Sequence, residues 1–407
     1  RCIPEMFRLM TEGAGAKPRE GHISTFQAFC VSTASRVGVG NIAGIAIAVA
    51  TGGPGAVFWM WVIATIGAAS GFVESTLAQI YKAPRKGGGF VGGPAYYIGN
   101  VIGSSFFASV FAVLLAVTYG LIFNSVQANT ISLSMQTSFG FDTQMTGLAI
   151  AGFTALVIFG GLTRIAKVVG VMVPVMAGAY ILVALAVTAL NITMVPEVLV
   201  TIVRCAFDFD AVLGAGFGMA LMTGIKRGLF SNEAGMGSTP HAHAVARVEH
   251  PAEQGLVAMF GVFTTVVIVT FTGIVILVTG VLDFKTTGIE LTQHAYTVGL
   301  GSFGMAFVAV CLFFFAFSTI MGWYFFGEQN VRFLFRSRGV LAYRVIVCAF
   351  IVTGAMLKVD FVWSLADLFN GLMVLPNLVA LVALHKVVGE SLEDFEKKLD
   401  HYEERKS

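Results

Sequence analysis

Ten apolar runs near 20 residues or longer follow one another along the chain, at 24–51, 55–82, 103–136, 143–161, 166–190, 197–225, 255–280, 303–333, 341–358 and 361–386. That is the length a helix needs to cross the hydrocarbon core of a bilayer. The longest runs exceed a single crossing, so they must tilt, break or project. The pattern predicts an all-α integral membrane protein with about ten transmembrane helices.

Composition agrees. Of 407 residues, 56% are hydrophobic and only 12% charged, with a mean hydropathy of +0.83. This excludes an ordinary soluble domain. A net charge of +2 carries little information, and no nucleic-acid partner is expected. The distribution of charge says more. With the first polar stretch inside and the runs alternating, 21 of the 25 Lys and Arg fall in inside segments, Lys226 and Arg227 among them. Arg204, Lys285 and Lys358 fall outside or near it, and Arg36 lies within the membrane. This bias predicts a multi-pass protein of the bacterial inner membrane with both ends of the chain cytoplasmic. Residues 1–23 read as a cytoplasmic segment with no signal peptide before them, and 387–407 as a charged cytoplasmic tail. The five cysteines are scattered, mostly in apolar segments, and read as small buried hydrophobes.

Two runs are not plain helices. Residues 32–44 combine Gly38, Gly40 and Gly44 with Arg36 and Asn41. Glycine weakens a helix, and backbone at membrane depth leaves the helix only where protein or a watery cavity satisfies it. The sixth run repeats the anomaly, with Asp208 and Asp210 followed by Gly214, Gly216 and Gly218. Breaks in runs 1 and 6 open two halves of five helices, 24–190 and 197–386. Five is odd, so the second half must be inverted relative to the first. Interrupted helices at matching positions of two halves point to a binding site where the halves meet.

The breaks suggest chemistry. Freed N–H groups around 38–41 suit a carboxylate. Freed carbonyls around Ala34 and Val37, with the hydroxyls of Ser318 and Thr319, form an uncharged oxygen set for a small hard cation. Few carboxylates lie at mid-depth, which favours Na+ over H+ as the coupling ion. Glu74 reads either as a structural partner, for instance of Arg36, or as an ion-coupling group. Asn124, Gln127 and Asn129 either bond between helices or line a polar cavity. Pro174 and Gly170 suggest a kink. Residues 226–240 read as a polar inside loop, and His241, His243 and His250 near it are weak evidence for a metal. Nothing resembles a phosphate-binding loop or a nucleophile with its base.

Three stretches carry a family resemblance: Ser-Arg-Val-Gly-Val-Gly-Asn-Ile-Ala-Gly (35–44), Gly-Gly-Pro-Gly-Ala-Val-Phe-Trp-Met-Trp (52–61) and Lys-Arg-Gly-Leu-Phe-Ser-Asn-Glu-Ala-Gly-Met-Gly-Ser (226–238). The chain resembles the alanine/glycine:cation symporters, sodium-coupled carriers with a leucine-transporter-type fold. That family usually has one more helix at the N-terminus. The resemblance implies uptake of alanine, glycine or a similarly small neutral amino acid with Na+, no organic cofactor and no enzymatic activity. It implies that Asn41, Gln127 and Trp323, with the breaks at Gly38, Val39 and Gly40 and at Gly214, Gly216, Phe217 and Gly218, line the substrate site. Trp323 and Phe217 would then cap it. Two other readings stay open: H+ coupling through Glu74 or Asp210, and a nutrient sensor on a transporter-like fold.

Overall fold

The computed structural model describes residues 2–15, 23–85, 88–208 and 216–404, and nearly all of them are helical. The first half comprises α1 (Cys2–Gly15), α2 (Thr25–Arg36), α3 (Ala43–Gly52), α4 (Gly55–Ile80), a two-stranded antiparallel hairpin β1 (Ala83–Pro84) and β2 (Phe90–Val91), α5 (Pro94–Tyr97), α6 (Ser105–Val117), α7 (Asn124–Phe139), α8 (Thr143–Ile158) and α9 (Gly161–Leu190). Local chemistry sets the ends. Ser24 and Gln27 form a capping box at the start of α2, and Gly53 (φ 70) and Pro54 turn the chain into α4. A π-turn over Thr118–Phe123 joins α6 to α7 in one membrane-length helix, Ser105–Phe139. Pro174 sits inside α9 without ending it.

The second half comprises α10 (Val195–Ala206), α11 (Gly216–Asn232), α12 (Pro240–Ala244), α13 (Pro251–Val278), α14 (Gly288–Leu300), α15 (Ser302–Phe335), α16 (Val340–Met356), α17 (Val359–Ala383) and α18 (His385–Glu404). Two expectations need correction here. The apolar run 197–225 takes in α10, which ends at Ala206, and the start of α11, described from Gly216 onward. Among the described residues, the glycines at 216 and 218 do not break the helix. Gly214, like Asp210, lies outside the described residues. Gly216, Phe217 and Gly218 form the first turn of α11, which continues unbroken to Asn232. The chain leaves the helix further on, at 233–239, before α12.

Among the described residues, six helices are long and apolar enough to cross a membrane: Gly55–Ile80, Ser105–Phe139, Gly161–Leu190, Pro251–Val278, Ser302–Phe335 and Val359–Ala383. Ala43–Gly52, Thr143–Ile158 and Val340–Met356 are apolar but shorter. The exposed faces of α8, α9, α16 and α17 are apolar, with Phe153, Leu156, Val175, Leu182, Val345, Leu375 and Val382 all outward. So much exposed apolar surface marks a protein solvated by lipid.

Packing sorts the helices into two groups. In one, α4 runs along α11 and α13, with α3 against α11; in the other, α16 runs along α7 and α8, and α15 along α7. The C-terminal half of α15 is anchored by Tyr343. Its hydroxyl donates to Ala116 O (2.9 Å) between Gly120 of the π-turn and Gly327 of α15. A Cβ at either glycine would overlap that hydroxyl. Small residues are what let such helices approach closely. Gly327→Ala should therefore lower the thermal midpoint by about 2–5 °C, and adding Tyr343→Phe should recover part of the loss. Fluorescence-detected size-exclusion after heating measures both.

Candidate functional site

The first break follows from what surrounds Gly38. α2 ends at Arg36, residues 39–41 make one short turn, and α3 resumes at Ala43. Every residue from Ala34 to Ala46 is buried. A Cβ on Gly38 would overlap the Thr319 hydroxyl and lie 3.1 Å from Gln127 Oε1, so close approach demands glycine here. Side chains serve the freed backbone. Asn41 Nδ2 donates to Arg36 O (2.7 Å), the Val39 N–H donates to Gln127 Oε1 (3.2 Å), and the Ser231 hydroxyl donates to Asn41 Oδ1. The amide nitrogen of Gln127, Nε2, is buried without a partner.

Beside this break lies an uncharged oxygen cluster. Thr319 Oγ1 is 2.7 Å from Ala34 O, 3.4 Å from Val37 O and 2.9 Å from Phe315 O, and Ser318 Oγ is 2.9 Å from Phe315 O. One hydroxyl proton cannot serve three carbonyls well. A small cation at their centre would satisfy all three, and two hydroxyl with three carbonyl oxygens is a donor set that fits a hard ion.

The second break, 233–239, is built on a buried carboxylate of α4. Glu74 Oε1 accepts from the Gly235 N–H (3.3 Å); Oε2 accepts from the Gly237 N–H (3.0 Å) and from Asn377 Nδ2 (3.0 Å). Asn377 also donates to Gly235 O (2.9 Å) and accepts from the Tyr97 hydroxyl (2.6 Å). Gly235 and Gly237 have φ of 82° and 76°, and Gly237 is pressed between Pro94, Phe111 and Asn377, so glycine is required there too. Glu233 itself has φ 53° and is fully buried. It accepts from the Trp323 indole N–H, from Ser238 Oγ (2.8 Å) and from Ser35 Oγ (3.2 Å).

Between the two breaks lies Arg36, only 1% exposed. Its guanidinium donates to Ala258 O (2.8 Å) and Thr239 Oγ1 (2.9 Å), and feels the charges of Glu233 and Glu74. It therefore points toward α13, away from the oxygen cluster. Asp367 pairs with Arg227 and not with Arg36.

Aromatic rings close the site. Phe230, in the last turn of α11, lies 4.9 Å from Phe123, 5.9 Å from Trp323 and 5.0 Å from Trp363 between ring centroids. Trp363 in turn carries Arg227 over its ring at 4.7 Å. Beyond Trp363 opens a cavity of about 490 Å3 lined by residues that include Asn129, Thr130, Arg227, Glu290 and Asp367. Arg227, counted above with an inside loop, thus lies within α11 beside α17, near Asp360 and the 287–290 segment.

The structure gathers Gly38, Val39, Gly40, Asn41 and Gln127 around the first break, sets Trp323 against Glu233 of the second, and joins Ala34 and Val37 through Thr319, while Ser318 meets Phe315 O and Met176 Sδ (3.8 Å). It does not bring Gly216, Phe217 or Gly218 to them: Phe217 packs on Trp59, 5.8 Å away, whereas Trp323 meets Tyr119, Phe123 and Phe230. Asn124 and Asn129 bond to Gly120 O and to Gly354 and Leu357 O, so of the three amides only Gln127 faces the break. Among the described residues, no cluster of three His, Cys, Asp or Glu is placed to hold a metal. His241 bonds to Ser238 O and Asn330, and His243 to Gln254. Sequence reasoning missed Glu233, Phe230 and Ser231, whose signal lay in the polar run after Arg227. Removing the clamp tests it: Glu74→Ala leaves two N–H groups and one hydrogen of the Asn377 amide unpaired in a buried core, and should lower the thermal midpoint by about 5 °C or more, with Glu74→Gln losing less.

Two breaks facing each other across buried polar groups belong to a fold already known. The crystal structure of MhsT in complex with L-phenylalanine superposes with a TM-score of 0.66, at 14% identity, over 88% of this chain and 89% of that one. The likeness shows a leucine-transporter-type fold. Sequence relatives lie nearer. The probable sodium/glutamine symporter GlnT of Bacillus subtilis is 48% identical over 97% of this chain and 83% of its own length. YrbD of the same organism, a putative sodium/proton-dependent alanine carrier protein, is 41% identical over 98% and 85%. The sequence profile of the sodium:alanine symporter family matches residues 1–407 throughout, and the site described above therefore sits in a transporter, not an enzyme: the chain belongs to the sodium:alanine symporter family.

Proposed function

We propose that this protein couples the inward movement of Na+ to the uptake of a small neutral amino acid, alanine or glycine, by alternating access. The observation that carries the reading is the meeting of three carbonyls and two hydroxyls at Ala34, Val37, Phe315, Ser318 and Thr319, beside the unwound 38–41 segment. In this reading Na+ binds there. The substrate carboxylate takes N–H groups of the first break and the unpartnered amide nitrogen of Gln127. The rings of Phe123, Phe230 and Trp323 leave room for a small side chain only.

The architecture that goes with this is a ten-helix core in two inverted halves, 24–190 and 197–386. It sits in a bacterial inner membrane with both ends of the chain cytoplasmic. The second break then belongs to 233–239. The cavity beyond Trp363 is the outer vestibule, and the Arg227–Asp367 pair and Trp363 form its floor. Transport proceeds as the group containing α2, α4, α11 and α13 rocks against the group containing α7, α15 and α16.

H+ coupling is the competing reading, supported by the name of YrbD and by two buried carboxylates, Glu74 and Glu233. Proteoliposomes separate the two. Radiolabelled alanine should accumulate under an inward Na+ gradient and not under a pH gradient alone. Thr319→Ala should raise the Na+ concentration for half-maximal uptake about tenfold, since it removes one of few ligands. Accumulation driven by pH in Na+-free buffer would favour the competitor. Gly38→Ala, which overlaps Thr319 and crowds Gln127, should cut uptake at least about tenfold while the protein still elutes as a folded species.

A further inference from the structure

We infer that Glu233 supplies, from outside the ligand shell, the negative charge that lets the neutral oxygen cluster of Ala34, Val37, Phe315, Ser318 and Thr319 bind a monovalent cation. The inference rests on reading that cluster as the Na+ site.

Carbonyls and hydroxyls carry no formal charge, and Arg36 directly precedes the ligand Val37 and lies two residues from Ala34. A lone guanidinium so placed would repel a cation. Two carboxylates act on it, Glu74 and Glu233. Glu74 meets only donors, the N–H groups of Gly235, Gly237 and Asn377, an arrangement that suits its ionised form. One guanidinium faces two carboxylates, Glu233 and then Glu74, so one negative charge is in surplus, and Glu233 is the carboxylate that reaches the Ser35 hydroxyl on α2.

Position makes that surplus effective. Glu233 Oε2 lies 3.2 Å from the hydroxyl of Ser35, the residue that directly follows Ala34. Arg36 turns the other way, onto Ala258 O and Thr239. The remaining groups nearby add no net charge. His241 lies between an acceptor, Ser238 O, and the Asn330 amide donor, which the neutral ring satisfies. His243 donates to Gln254 Oε1, again without needing a second proton. Arg227 has its own carboxylate in Asp367. A glutamate at φ 53° is also uncommon, since that backbone favours glycine or asparagine, and the strain is kept where the side chain has a task. Charge held outside the shell suits a transported ion, which must bind and also leave.

The test is binding of radiolabelled Na+ to purified protein in detergent, read by scintillation proximity, with alanine affinity at saturating Na+ beside it. Glu233→Gln keeps the shape and one acceptor oxygen but removes the charge. It should weaken Na+ binding about tenfold and leave alanine affinity within about threefold. Glu233→Asp and Ser238→Ala keep the charge and should bind Na+ within about threefold of wild type. If Glu233→Gln is not recovered folded, these two carry the test. A tenfold loss of Na+ affinity in Ser238→Ala would mean that hydrogen-bonded geometry matters rather than charge, and would overturn the inference. So would a Glu233→Gln variant with wild-type Na+ affinity, which leaves the Na+ site standing. A wild-type protein that binds no Na+ would instead remove the reading of the coupling ion.

Discussion

Backbone in a membrane core must find partners within the protein, and the second break exists because Glu74 provides them. One carboxylate takes two main-chain N–H groups of 233–239 and an amide that itself bonds to the same segment. Asn377 brings in α17, and Tyr97 brings in α5. Glycine at 235 and 237 lets the chain curl around the carboxylate, which no β-carbon would allow at those dihedrals. A charged group so deep needs a countercharge, and Arg36 lies there for it. The two breaks are thus fastened to each other as well as to the surrounding helices.

What was legible in the sequence was whatever announces itself locally. Long apolar runs give membrane helices whatever their partners. The first break was visible because Gly38, Gly40 and Asn41 interrupt a run that is otherwise apolar. The pairing of Thr319 with the Ala34 and Val37 carbonyls followed from the chemistry of freed backbone, although the Phe315 carbonyl did not. The second break was misplaced because Ser231, Asn232, Glu233 and Ser238 have the composition of a surface loop. Only Glu74, far earlier in the chain, turns that stretch into buried backbone. Arg227 misled for the same reason: a lysine–arginine pair after an apolar run looks like a helix end, whereas here the guanidinium is paired inside one. Phe217 was chosen for its place beside glycines, yet its aromatic partner is Trp59. The ring that meets Trp323 is Phe230, about four turns further along α11.

Each break touches both helix groups, and this is where structure reaches mechanism. The first meets Gln127 of α7 and Thr319 of α15; the second meets Trp323 of α15, through Glu233. A rocking motion of one group against the other cannot leave these contacts unchanged. Whatever strengthens them favours the arrangement in which they are made.

Thr319 shows how an ion would do so. Its single hydroxyl proton has three carbonyl neighbours, two on α2 or just after it and one on its own helix. The proton satisfies one carbonyl fully and leaves lone pairs facing lone pairs at the others. A cation reverses each of those contacts from repulsion to attraction, and does so across the boundary between α2 and α15. Binding energy at this point is therefore energy between the two groups, not within either. Since Gly38 rests against the same hydroxyl, an ion bound there would also set the backbone that the proposed function assigns to the substrate. In the proposed reading, coupling between ion and amino acid then needs no relay through the protein, since the two would lie on either side of one unwound turn.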